Sequence, residues 1–130
     1  MGKIQDDKKQ HDNEVEVLQK LNELDSVFFP KMYFHEKISE TEQIYIMSHL
    51  GANLSDTFDF FKKFSFKTII QIGIALLDII QTFHKSGYVY NDLKPENICI
   101  GNFENDEENY ILKLIDFGLC SKYIKDGVHI

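Results

Sequence analysis

Residues 65–87, SFKTIIQIGIALLDIIQTFHKSG, limit what this chain can fold into more than any other segment. Apolar side chains recur at helical spacing around most of the circumference. Ser65 supplies an N-cap, and Gly87 supplies an ending. A helix that is apolar nearly all round has to be buried, so the rest of the chain is expected to surround it. Its greasiest stretch, IIQIGIALLDII, is too short for a membrane span and carries Gln71 and Asp78.

Upstream, NEVEVLQKLNEL (13–24) places Val17, Leu21 and Leu24 on one helical stripe with Leu18 beside it, and sets Glu16 and Lys20 at an i,i+4 spacing on the other side. VFFPKMYFHEK and EQIYIMSHL are short β-branched and aromatic runs that predict a strand pair with Pro30 at its entry. GANLSDTFDFFKKFS reads as a turn into a short helix. After the long helix, YVY, NICIG and YILKLID are strand-like. The acidic run NFENDEEN between the last two reads as a solvated hairpin loop.

Charge removes several classes of function. A net charge of −7 and a pI near 5.1 argue against a nucleic-acid or anionic-membrane surface, because both need clustered cations. All 14 cations are lysines, so no task that needs a bidentate guanidinium can be done by this chain. Cys99 and Cys120 are too few and too far apart for a disulfide framework, and the five histidines are scattered, so a metal centre built from them is not expected. No export or anchoring signal is legible in MGKIQDDKKQ. An intracellular setting, cytoplasmic or nuclear, is expected.

The chemistry lies in the last third. In NDLKPENI, Asp92, Lys94 and Asn97 stand at offsets 0, 2 and 5, with Pro95 stiffening the turn between lysine and asparagine. Nineteen residues after Asn97, an apolar strand delivers Asp116, followed by Gly118, which can take backbone angles that other residues avoid. A strand-loop-strand would bring Asp116 close to Asn97. One anionic and one neutral oxygen ligand suit a Mg²⁺ ion that keeps waters and binds substrate phosphates. Asp92 could then accept a hydroxyl proton and Lys94 could neutralise a transferring phosphoryl group.

YNDLKPEN and DFG resemble the catalytic loop (HRDxKxxN) and magnesium loop of the eukaryotic protein kinases. The resemblance implies Asp92 as catalytic base, Lys94 as a phosphate-contacting lysine, and Asn97 and Asp116 as metal ligands, with ATP and Mg²⁺ as cofactors and a Ser/Thr-bearing protein as substrate. NEVEVLQ is similar to the αC pattern, which makes Glu14 the partner of a phosphate-binding lysine. Lys3, in what would be a strand remnant, is the candidate for that lysine. IYIMSHLGANL looks like the strand and hinge that receive adenine, with Met47 as gatekeeper, Ser48 to Leu50 as hinge and Cys99 as part of the apolar floor. LGANLSDTFDFFKKFSFKTIIQIG and LIDFGLCSKY resemble the casein kinase 1 group.

The implied fold is α+β and bilobal. Residues 1–50 would hold an N-lobe remnant and 51–130 the first part of the C-lobe. No GxGxxG loop occurs before the αC-like helix and no APE-like motif follows DFG, so the resemblance implies an incomplete domain. The alternative reading is a non-catalytic, pseudokinase-like binding module. Asn91 stands where the family usually has arginine. An asparagine cannot grip an activating phosphate, so activity is expected not to depend on one, and Asn91→Arg is expected to be nearly neutral.

Overall fold

The first helix, α1, spans Gly2–Glu23 and so begins well before the apolar stripe. Nothing in residues 3–12 breaks a helix, and extending one is far easier than nucleating it. The computed structural model describes residues 2–40, 42–101 and 106–130, with side chains described from Lys8 onward. The expected strand remnant around Lys3 is therefore replaced by helix, and the Lys3 side chain lies outside the described residues. The stripe itself behaves as its spacing requires, with Val17, Leu18 and Leu21 buried.

The predicted strand pair is present. β1 (Met32–Lys37) and β2 (Gln43–Met47) run antiparallel, from Met32 opposite Met47 to Lys37 opposite Gln43. α2 (Leu54–Phe61) starts at Asn53, whose Oδ1 accepts from Asp56 N at 2.8 Å. α3 (Phe66–His84) starts at Ser65, as its N-cap chemistry predicts, with Ser65 Oγ accepting from Thr68 N at 3.1 Å. Beyond α3 come β3 (Tyr88–Val89), a 3₁₀ turn (Pro95–Asn97), β4 (Ile98–Ile100), a second 3₁₀ turn (Asp106–Glu108) and β5 (Leu112–Leu114). β6 (Ser121–Lys122) pairs with β3, β4 pairs with β5, and β7 (Ile124–Lys125) with β8 (Val128–His129) makes a hairpin that the sequence does not announce. Helices with antiparallel strand pairs give the expected α+β composition.

α3 departs most from expectation. Ile79 and Phe83 are fully buried, whereas Phe66 and Leu77 are 80% and 72% exposed, and Ile69, Ile70 and Ile74 are also open. Its C-terminal part is seated against β3 and β5; among the described residues nothing comparable covers the rest. At 19 residues it has the length and hydropathy that could cross a membrane, more than the shorter run inside it suggests. The acidic loop also differs from a purely solvated one. Glu108 reaches back to the buried Lys113 at 2.5 Å, and Lys113 donates to Val27 O.

Four aromatic rings form the centre of the core. Phe83 of α3 stacks on Phe117 with centroids 6.0 Å apart and ring planes 12° from parallel. Phe29 and Tyr90 pack edge-on to both. Such pairs add about 0.5–1.5 kcal/mol each beyond the area they bury. Phe117 sits next to Asp116, so the core anchors the loop that carries the second half of the site.

Candidate active site

Three of the predicted residues converge on one carboxylate. Asp92 Oδ2 receives Lys94 Nζ at 2.8 Å and Asn97 Nδ2 at 2.9 Å, and Asn97 Nδ2 also lies 3.0 Å from the Asp92 carbonyl. The spacing accounts for this cluster. Pro95 opens a 3₁₀ turn that returns Asn97 to Asp92, while Lys94, extended just before it, folds back over the same carboxylate. The Lys94 ammonium, helped by Asn97, holds the Asp92 carboxyl below the usual carboxylate range, and Asp92 raises Lys94 in return. Asp92 is therefore ionised at neutral pH and Lys94 is charged. The Asn97 side chain is buried, and its amide nitrogen is committed to Asp92.

β4 and β5 bring the second aspartate in. Ile98 lies opposite Leu114, and Ile115 N donates to Asn97 O at 3.0 Å, so Asp116 leaves the sheet one residue beyond Asn97's own backbone bond. The predicted proximity is realised, and the Asp116 charge is felt at Lys94. Asp116 itself takes φ 61°, in the left-handed region. Gly118, expected to supply the unusual angles, does not have a positive φ. Its constraint is space: a Cβ there would lie 3.3 Å from Gln10 Cβ and 3.4 Å from Gln10 O. α1 thus lies directly over the loop.

Asp116 carries an exposed carboxylate and Asn97 a side-chain oxygen, donors of the kind Mg²⁺ accepts when waters and phosphates complete its shell. Among the described residues no group of three His, Cys, Asp or Glu side chains forms a closed metal site. The donor chemistry fits a shared, substrate-completed ion.

Glu14 projects from α1 to Tyr45, whose hydroxyl donates to Glu14 Oε2 at 3.1 Å. Burial, then the Glu14 charge, push the Tyr45 phenol up to about 12, and Asp116 adds to the effect. The expected Lys3–Glu14 pair lies outside the described residues on its Lys3 side.

The predicted hinge residues lie on the segment leaving β2. Met47 is half-buried opposite Met32. Ser48 is buried and fastened to Lys31, its N–H donating to Lys31 O at 2.8 Å and its Oγ accepting from Lys31 N at 2.9 Å. Beyond the half-buried Leu50 the chain crosses to β4, where Ile100 N donates to Ala52 O at 2.9 Å and Asn53 bridges Cys99. Burial pushes the Cys99 thiol up, so it behaves as a small apolar group.

Sequence reasoning missed Asn13, Tyr45 and Tyr90. Tyr90 donates to Ile115 O beneath the loop, and Asn13 reaches carbonyls 104 to 107 residues away. Nothing local marks such partners.

The sequence model of the protein kinase domain matches residues 2–129. The chain is 37% identical over 81 residues to casein kinase I homolog 1 of Saccharomyces cerevisiae, an overlap covering 62% of the chain and 15% of that protein. It is 29% identical over 102 residues to casein kinase I homolog 3 of Schizosaccharomyces pombe, covering 78% and 23% respectively. The chain thus spans between 15% and 23% of the length of these curated relatives.

Proposed function

The chain belongs to the protein kinase family and is casein kinase 1-like, and from that premise we propose that it carries the phosphoryl-transfer site of a protein serine/threonine kinase, moving the ATP γ-phosphoryl group to a Ser or Thr hydroxyl. The observation that carries this reading is the convergence of Lys94 and Asn97 on the ionised Asp92, with Asp116 delivered beside them. Asp92, ionised at neutral pH, accepts the proton of the attacking hydroxyl. Lys94 neutralises charge on the group in transit. Asn97 Oδ1 and the Asp116 carboxylate would hold Mg²⁺, which would supply positive charge to offset the charge developing on the phosphates.

The segment from Met47 through Ser48 to Leu50, with Cys99 beneath it, receives the adenine. Glu14, fixed by Tyr45, faces the phosphate end. Residues 1–50 then act as the smaller lobe's portion and 51–130 as the larger lobe's portion of a bilobal domain.

Isothermal titration of the full chain with ATP, with and without Mg²⁺, tests the site. Affinity should rise with Mg²⁺ and that gain should vanish in Asp116→Asn. Binding indifferent to both the ion and the substitution overturns the assignment.

A further inference from the structure

The strip that follows Asp116 is held in an uncommon way. From α1, Asn13 Nδ2 lies 3.4 Å from Phe117 O, 3.0 Å from Gly118 O and 2.8 Å from Cys120 O. From the catalytic loop, Asn91 Nδ2 donates to Leu119 O at 3.1 Å and to Ser121 Oγ at 2.8 Å. Four consecutive carbonyls, 117 to 120, therefore face two side-chain amides. A primary amide has two hydrogens, so Asn13 bonds best to Gly118 and Cys120 and only weakly to Phe117.

The strip needs such support. Asp116, at φ 61°, lies in the left-handed region, which aspartate visits more readily than most residues but which its surroundings still have to hold. Asn91 is itself at φ 69°, a conformation that asparagine tolerates better than most residues. Both donors are neutral, so the grip involves no titrating group and is little affected by salt.

We propose that Asn13 and Asn91 are positioning residues that clasp the backbone of residues 117–121 and so hold the Asp116 carboxylate in place for the metal ion, doing without charge what a phosphate-gripping arginine would do. The inference rests on the reading of Asp116 as a metal ligand. It also revises the expectation that Asn91→Arg is neutral, since that change removes the amide bonded to Leu119 and Ser121.

The test uses the full chain and its Asn13→Ala and Asn91→Ala variants, with Mn²⁺ as the probe ion, followed by paramagnetic resonance in the presence of a non-hydrolysable ATP analogue. Mn²⁺ binding to the nucleotide complex should weaken about tenfold in Asn13→Ala and several-fold in Asn91→Ala, while metal-free nucleotide affinity stays within about twofold. Amide hydrogen exchange should accelerate at residues 118–121 and stay unchanged around Phe83. Mn²⁺ affinity within twofold of the unmodified chain overturns the proposal, as does unchanged exchange at 118–121 or a loss of protection that extends to Phe83. If nucleotide does not enhance Mn²⁺ binding to the unmodified chain, the metal-site reading itself has failed, and the exchange rates alone decide whether the clasp exists.

Discussion

Asp92 gathers its partners through a five-residue reach. The lysine two positions on and the asparagine five positions on both bond the same oxygen, and their combined pull keeps the carboxyl ionised. The sign of the linkage follows from that depression. The pairing stabilises the fold above the unfolded carboxylate's pKa and is lost as pH falls through the lower, folded value. On the proposed reading, Asp92→Asn removes the proton acceptor while preserving shape. Phosphoryl transfer to a Ser/Thr peptide should fall by about 10²- to 10⁴-fold, with ATP affinity within a few-fold of the unmodified chain, as a kinetic assay paired with calorimetry would show. Glu16 shows how far a side chain can depart from its local reading. It turns from Lys20 to Lys122 at 2.6 Å and to Tyr88 Oη at 2.7 Å, and Lys20 pairs with Glu23 instead.

Among the elements, the crossing from β2 to β4 and the long α3 make the clearest predictions. A Cβ on Gly51 would stand 1.8 Å from Ile100 O, so the segment leaving β2 and β4 touch backbone to backbone. Gly51→Ala should push them apart, costing about 1–3 kcal/mol in urea unfolding and, on the proposed reading of Cys99, lowering nucleotide affinity. α3 contains two kinds of apolar residue that the sequence does not separate. Phe83→Ala, which hollows the aromatic core, should cost about 3–5 kcal/mol. Leu77→Gln, on the open face, should change stability by no more than about 0.5 kcal/mol. Equal costs at the two positions would mean that α3 is covered all round.

The molecule as a whole holds several phenolic protons tightly. Tyr45 is pushed up to about 12, chiefly by burial, and Tyr88 and Tyr90 are raised for the same leading reason. The folded chain therefore keeps protons that the unfolded chain releases near pH 10. Stability should be complete below that pH and decline as pH rises toward 12. Urea midpoints at pH 9 and pH 11 would show the decline, and Tyr45→Phe should make it shallower.

What the sequence determined by itself was local or chemically singular: the Asp92, Lys94, Asn97 cluster, the Ser65 cap, the β1–β2 pair, and the family to which the chain belongs. Each is encoded within a few residues, where spacing and side-chain chemistry dictate geometry directly. Only the tertiary structure decided which face of α3 is covered, that α1 begins at Gly2 where a strand remnant was expected, and that Asp116 rather than Gly118 takes the left-handed angle. Only it could join Asn13 to carbonyls more than a hundred residues away. Periodicity records that a side chain is apolar and an amide can donate, but which surface or carbonyl each one meets depends on how distant elements pack.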